Sequence, residues 1–502
     1  MTCRILLAAE DRKENAPLAG LADQLVSCAA TVHVFLVNTG TQSSSLPFEG
    51  SVSPTAINAV ELLRDEIDAV VPADDSFILT AFGNDDFMTS MQRVAESLET
   101  PLCACGNLQS EQDSSFPTLL KRIRESIRPT PYLVGVSMKQ SRYAELAGRG
   151  VLSLDPSDGL LIVPANCGIP ISEMDAVVEK CTDFLQKDEA EGGVLKASKS
   201  RAMIDLQEQL AANPEICVID PFHSVSKVMD RSVFTALMSD MEASGVRAGV
   251  VSRISPTPYF TAKSISDINV FTNSMHAAGL EFPVIMKPCV ACGVKGSHKH
   301  AIVYNKEGLE NLQFDGLPAC VQSYVNHGGD QYKIYVVGKK VFHRAEPSTP
   351  DIHPDQIPSE SVLFFDTLES LQSSLLEKNS ELNQNTHSAA SEDQGKNSRD
   401  QQLLDIKGPV CGMCVGVIDD IQEVNGGQAG LDFHAVMVIA KFLKDKLGLT
   451  IFGFDVVVQE GTGVHFVVDV NFFPSCKKIP GVEKTIRTAI FERISAHKRC
   501  SF

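Results

Sequence analysis

Thr450 to Pro474, TIFGFDVVVQEGTGVHFVVDVNFFP, decides how this chain folds. Two runs rich in Val and Phe flank Glu460-Gly461-Thr462-Gly463, which predicts a hairpin of two largely buried strands. The runs also carry Asp455, Asp469 and Asn471. A turn that pairs Gln459 with Val464 sets Asp455 opposite or nearly opposite Asp469, and Asn471 returns to the same face two residues on. Carboxylates in an apolar sheet are costly unless they hold a cation or meet a basic partner, and the residues alone leave both open. A set of few, hard oxygen ligands suits Mg²⁺, which keeps water and phosphate in its other positions.

Outward from the hairpin, charge is the next guide. The chain has 502 residues, 43% of them hydrophobic, and a formal net charge of −19. That length holds two to four domains, and that charge excludes a nucleic-acid binder as a whole. Residues 1–130 hold 18 acids against 9 bases, whereas residues 285–344 hold 8 Lys/Arg against 4 acids. A local basic site in an acidic protein is what a small polyanion requires. No run of about 18 apolar residues occurs, and MTCRILLAAEDRKE meets charge too early for a signal peptide. The expectation is a monomer with no membrane span and no nucleic-acid partner, in the cytoplasm with room for a nuclear share. Cys289/Cys292 and Cys411/Cys414 have the spacing of zinc ligands, but the first pair belongs to a loop with a better explanation.

That loop lies in EFPVIMKPCVACGVKGSHKHAIVYN, residues 281–305. Val284–Lys287 reads as a strand closed by Pro288, Ala301–Tyr304 as its return, and the Gly293/Gly296 loop between them as able to wrap phosphates with Lys287, Lys295, His298 and Lys299 at hand. A Lys inside a buried strand calls for an anionic partner. Cys320–Val325 and Tyr332–Val337 predict two more strands, the first able to run past a planar ligand and the second carrying Lys333 among Tyr332, Ile334 and Tyr335. A strand from Ile216 leads through Asp220-Pro221 to a helix bearing Arg231. Residues Asp432–Leu447 read as a helix stopped by Gly448, and Gly481–Ser495 as a closing helix. Most of 367–402, rich in Ser, Asn, Gln and Glu, reads as a mobile insertion.

Before residue 125 the pattern is a separate small α/β layer domain. SVSPTAINAVELLRDEI, FILTAFGNDDFMTSM and PLCACGN resemble the last third of a haloacid-dehalogenase-type sugar phosphatase. Asp85 and Asp86 fit that family's acidic loop, but Pro54 stands at its Lys position and the DxDxT nucleophile motif is missing. The domain therefore reads as non-catalytic.

A strand Lys with a Gly loop, a Gln-containing linker strand, a basic strand and a GFD…DVN hairpin together resemble ATP-grasp enzymes. SHKHAIVYN, VNHGGDQYKIYVVG, LGLTIFGFDVVV and VVDVNFFPS resemble, within that group, the inositol 1,3,4-trisphosphate 5/6-kinase and inositol-tetrakisphosphate 1-kinase family of plant type, over roughly Tyr132 to His497. The resemblance implies an α/β ATP-grasp kinase with an additional N-terminal haloacid-dehalogenase-like domain at 1–125. The grasp itself would comprise an inositol-phosphate-side subdomain at 130–215, a central nucleotide-binding subdomain at 216–328 and a C-terminal metal-site subdomain at 329–502. It implies ATP and Mg²⁺ as cofactors and an inositol polyphosphate as substrate. Lys287, Lys333 and Asp469 then stand in catalytic positions. Arg231, Lys287, Gln322, Tyr324, Val325 and Ser348 stand on the nucleotide side, and Asp455, Asp469 and Asn471 on the metal. Arg142, Lys180, His298, Lys333, Arg344, Asn471 and Ser475 stand on the acceptor side.

Departures gather on that acceptor side. Glu346 stands two residues before Ser348 where the family shows an arginine, the family's HKxTD reads Glu179-Lys180-Cys181-Thr182-Asp183, and its FPGYKG reads Phe473-Pro474-Ser475-Cys476-Lys477-Lys478. The implied reaction is phosphoryl transfer from ATP to a hydroxyl of an inositol tris- or tetrakisphosphate. Two other readings stay open: a carboxylate–amine ligase, since ATP-grasp frames commonly make acyl phosphates, and a nucleotide-binding regulatory protein with reduced kinase activity.

Overall fold

The computed structural model describes residues 4–10, 31–37, 55–57, 67, 77–82, 91–94, 102–104, 116–152, 154, 156–188, 195–250, 252–353, 361–367, 420–423 and 430–500. Asp85, Asp86, Pro54, residues 368–402, Cys411 and Cys414 lie outside them. The chain forms two compact units, one of residues 1–180, 205–219 and 481–502, the other of residues 181–204 and 220–480. No helix among the described residues is long and apolar enough to cross a membrane.

In the first unit the strands Arg4–Glu10, Thr31–Val37, Thr55–Ile57, Phe77–Phe82 and Leu102–Ala104 form a wholly parallel sheet in the order third, second, first, fourth, fifth. A second parallel sheet aligns Cys217–Ile219, Ala176–Glu179, Tyr132–Ser137 and Leu160–Pro164. Its continuous apolar runs, with Leu160, Leu161, Ile162 and Val163 all at 0% exposure, suit strands covered on both faces. The closing helix runs Val482–Cys500, longer than its expected span. Arg487 ties it down, with Nε and Nη2 on the Asp158 carboxylate at 2.5 and 2.8 Å and further donations to the Val151 and Leu160 carbonyls. Leu152 and Leu154 are buried in irregular backbone.

The second unit holds two larger sheets. One aligns Tyr259–Ala262, Ala319–Ser323, Val284–Pro288, Lys299–Val303 and Val362–Asp366, all antiparallel. Side-chain alternation divides it cleanly. Val284, Met286, Ala301, Val303, Ala319 and Val321 face a core completed by Phe271, Met275, Leu309 and Phe314. Ile285, Lys287, His300, Ile302, Cys320 and Gln322 take the opposite face.

The other sheet runs in the order Ile254–Pro256, His465–Phe472, Ile451–Val458, Asp330–Val337, Lys340–Pro347, Asp420–Glu423. Its centre is the hairpin expected from Thr450 to Pro474, closed by a Gln459 N–H donating to the Val464 carbonyl at 2.8 Å. Phe452 and Phe454 are fully buried on one face, leaving Gly453 and Asp455 on the other. Glycine fits tightly at 453: a Cβ there would stand 3.1 Å from the Ile334 carbonyl oxygen and 3.3 Å from Pro474 Cγ. The helix Phe433–Leu447 covers the apolar side. Asp432 caps it by accepting from His434 N and Ala435 N, and Gly448 ends it in the left-handed region at φ 72°.

Asp220 anchors the hairpin's first strand. Its fully buried carboxylate accepts from Thr450 N at 2.8 Å and Ile451 N at 3.3 Å. Asp220→Ala strands those amides, and the expected loss is about 2 to 3 kcal/mol of unfolding free energy. Chemical denaturation should report it as a lower midpoint, and a change under about 0.5 kcal/mol would refute the anchor.

Candidate functional site

A row of four residues crosses the six-stranded sheet. Arg344 pairs with Lys333, Lys333 with Asp455 and Asp455 with Asp469, each directly opposite the next on adjacent antiparallel strands. Asn471 lies two residues beyond Asp469, opposite Gly453. The row depends on a β-bulge. Val456 pairs with Val467 but Asp455 with Asp469, so Val468 is left over, and without it Asp455 would face a valine. The Val468 carbonyl turns to accept from Lys287 Nζ at 2.8 Å, joining the two sheets of this unit.

The electrostatics follow from burial. Burial pushes the Asp455 carboxyl up to about 6 against the pull of Lys333, with Asp469 adding to the rise and Lys287 opposing it. Burial likewise draws the Lys287 ammonium below the ordinary lysine range, while Asp469 resists and Arg231 adds to the fall. Lys333 moves the other way, raised above its usual range chiefly by Asp455 and then by Glu346, with burial opposing. Its Nζ is 3.5 Å from Asp455 Oδ2 and 3.8 Å from Glu346 Oε2. Asp455 is thus a buried acid short of positive charge. Two facing carboxylates with an amide on the same face fit a hard divalent cation. Among the described residues no group of three or more His, Cys, Asp or Glu side chains is arranged for a metal, so the fit rests on the Asp455, Asp469 and Asn471 set.

Arg231 is the residue whose surroundings sequence reasoning missed. Its side chain is 6% exposed and donates to the carbonyls of Pro288, Val290, Ala291 and Ser297, at 2.7 to 3.4 Å. Its Nε stands 3.6 Å from Asp469 Oδ1. It therefore organises the glycine loop after Lys287 and turns one edge to the acid pair. The loop is close-packed on its other side: a Cβ at Gly293, φ 86°, would meet Leu185 Cδ1 at 2.6 Å and the Thr182 carbonyl at 2.7 Å. The signal available was the arginine itself, a buried-type helix position given to a five-donor side chain.

Beside Lys287 the five-stranded sheet offers an apolar floor. Ile302, Tyr304 and Phe365 cluster there with Ile285, Tyr324, Ile352 and Leu363. Gln322, opposite Ile285, is 5% exposed, and its Oε1 is buried without a hydrogen-bond partner among the described residues. Tyr324 donates its hydroxyl to the Pro350 carbonyl at 2.5 Å. Val325 is buried, and its carbonyl contacts His327 Nδ1 at 2.6 Å. Asp351 then holds the following turn by accepting from His327 N and Gly328 N. Ser348 N donates to the Gly329 carbonyl at 2.7 Å.

His298 sits at the foot of the loop with Nδ1 3.3 Å from Thr367 Oγ1, and burial lowers its imidazole below the ordinary range, Arg231 adding to the fall. Ser475 lies in the turn after the hairpin, between Phe473 at φ 43° and Cys476 at φ 50°. Arg344 lies 3.0 Å from Glu346 Oε1. Arg142, in the helix Gln140–Gly148, and Lys180, buried after the strand Ala176–Glu179, belong to the first unit.

Similarity to known proteins converges on this region. The profile described as the inositol 1,3,4-trisphosphate 5/6-kinase ATP-grasp domain matches residues 255–394 and 429–492. Inositol-tetrakisphosphate 1-kinase 6 of Oryza sativa subsp. indica is 31% identical over 378 residues, which make up 72% of this chain and 60% of that protein. Inositol-tetrakisphosphate 1-kinase 1 of Zea mays is 24% identical over 371 residues, 73% of this chain and 90% of that one. The chain thus spans about 60% of the length of the rice relative. Among solved structures, D-alanine–D-alanine ligase from Bacillus anthracis complexed with ATP aligns at 13% identity and a TM-score of 0.38, over 74% of this chain and 100% of that one, a likeness too loose to carry an argument.

Proposed function

From the similarity to the inositol 1,3,4-trisphosphate 5/6-kinase ATP-grasp domain and to inositol-tetrakisphosphate 1-kinase 6, we propose that the chain belongs to that family and transfers the γ-phosphoryl group of ATP to a hydroxyl of an inositol tris- or tetrakisphosphate. The observation that carries this reading is the convergence, on two facing sheets, of a buried Lys287, an acid pair Asp455/Asp469 and the basic pair Lys333/Arg344. A phosphoryl donor needs a cation near its phosphates, an acceptor needs positive charge to bring its own phosphates in, and the acids need a metal.

In this reading the apolar floor of Ile285, Ile302, Tyr324 and Leu363 receives the adenine, and the unsatisfied Gln322 Oε1 accepts from its amino group. Lys287 steadies the nucleotide phosphates with the backbone amides of the loop that Arg231 holds in shape. Asp455, Asp469 and Asn471 would hold Mg²⁺, which supplies neutralisation of the charge on the transferring phosphoryl group when bound. Lys333 and Arg344 orient the acceptor, with His298 and Ser475 as further acceptor-side groups and Ser348 on the nucleotide side. Transfer then depends on alignment and charge neutralisation more than on a strong base.

ADP release by the full chain with MgATP, measured across a panel of inositol tris- and tetrakisphosphates, tests the proposal. ADP formed in step with a more highly phosphorylated inositol is expected. Turnover that instead needs a carboxylate and an amine would replace the kinase with a ligase, and no ADP with any acceptor would leave a nucleotide-binding protein.

A further inference from the structure

Glu346 lies two residues after Arg344 on the strand Lys340–Pro347 and shares its face. Three cations from three separate segments close on its carboxylate: Arg344 Nη1 at 3.0 Å, Lys478 Nζ at 3.6 Å and Lys333 Nζ at 3.8 Å. Lys333 is shared with Asp455, so Arg344 and Lys478 are the cations that Glu346 engages without another acid among the ion pairs described. The Glu346 side chain is 20% exposed and that of Arg344 14%, so the cluster is open enough to meet a ligand and buried enough for its charges to interact strongly. Three cations converging on one pair of oxygens exceed what a carboxylate requires. They make an oxyanion site whose occupant is a side chain of the protein itself.

We propose, resting on the kinase reading above, that Glu346 is the specificity-determining residue of the acceptor side and selects inositol phosphates that present a hydroxyl rather than a phosphate to Arg344 and Lys478. A hydroxyl donates to the Glu346 carboxylate and leaves all three cations where they are. A phosphate at that station must displace the carboxylate from its cations or lie beside a like charge, and both oppose binding. Acceptors with fewer phosphates are favoured as a consequence, and discrimination grows with the number of phosphate groups.

Glu346→Gln keeps the shape and removes the charge. With MgATP and the full chain, the wild-type kcat/KM should fall from inositol tris- to pentakisphosphates. In E346Q the KM for pentakisphosphates should drop about tenfold, while that for trisphosphates changes less than about twofold. The KM for ATP should move by no more than the trisphosphate value. Glu346→Asp, one methylene shorter but still charged, should retain the wild-type preference, which separates the charge from any structural role. An equal change in KM for every acceptor, or loss of the preference in E346D as well, would overturn the proposal. Calorimetric binding of inositol hexakisphosphate keeps the two readings apart. If the wild type releases no ADP with any acceptor, the kinase reading fails, yet E346Q should still bind hexakisphosphate about tenfold more tightly than wild type. Equal affinities would overturn the role of Glu346 alone.

Discussion

Asp469→Ala is expected to lower ADP release by at least about 10³-fold while the protein still melts cooperatively near the wild-type temperature. The carboxylate lies directly opposite Asp455 and 3.6 Å from Arg231 Nε. Without it the proposed cation keeps one carboxylate and an amide, too few charges to neutralise a transferring phosphoryl group. The fold should tolerate the change for a reason visible in the charges. Arg231 loses its ion pair with Asp469 but keeps its four carbonyl partners, while Asp455 is relieved of the acid that helps raise its carboxyl toward 6. The two effects oppose each other, so the stability change should stay within about 1 kcal/mol. Melting with and without MgATP alongside the ADP assay separates the outcomes: the wild type should gain several degrees from MgATP and the variant little. A variant that keeps its turnover would remove Asp469 from the metal set.

Lys287→Met carries the second large effect. Lys287 is buried, its ammonium is drawn down by that burial, and its Nζ donates to the carbonyl of the bulged Val468. Methionine keeps most of the volume and discards the charge. Loss of the cation should reduce kcat/KM for ATP by about 10² to 10³. Stability responds to two terms of opposite sign. The desolvation of a buried ammonium disappears, which stabilises, and the Val468 carbonyl loses a donor, which costs about 1 kcal/mol. The expected result is an inactive protein with an undiminished melting temperature. A variant that loses activity and stability together would make Lys287 a structural strut rather than a nucleotide ligand.

How far the chain could be read in advance varied with the range of the interactions. The hairpin and the Val284–Pro288 and Asp330–Val337 strands were legible because apolar alternation and Gly-rich turns act over a few residues. The helix Phe433–Leu447 was legible for the same local reason, from the apolar spacing of Phe433, Val436, Ile439, Ala440 and Leu443 and its stop at Gly448. The resemblance to inositol phosphate kinases was legible too, since it lies in short contiguous segments around those strands. The bulge at Val468 was not. Turn geometry alone carries the register from Gln459 and Val464 to a pairing of Asp455 with Val468, and one extra residue shifts it to Asp469. A bulge is favoured by what its freed carbonyl meets, here Lys287, 181 residues earlier in the chain.

The same distinction separates the two halves of the site. The amino-acid sequence by itself determined which groups are present: a lysine in one apolar strand, acids in another, a glycine loop, and an acid, Glu346, two residues after Arg344. Each of those is a property of a residue and its near neighbours. Tertiary structure decided what each group faces. It brought Lys478 from the turn after the hairpin and Lys333 from the neighbouring strand onto Glu346, beside Arg344 of its own strand, and it turned the Arg231 guanidinium onto four loop carbonyls. Those partners are set by sheet order and bulge geometry, which arise from contacts between segments far apart in the chain and leave no local pattern in any one of them.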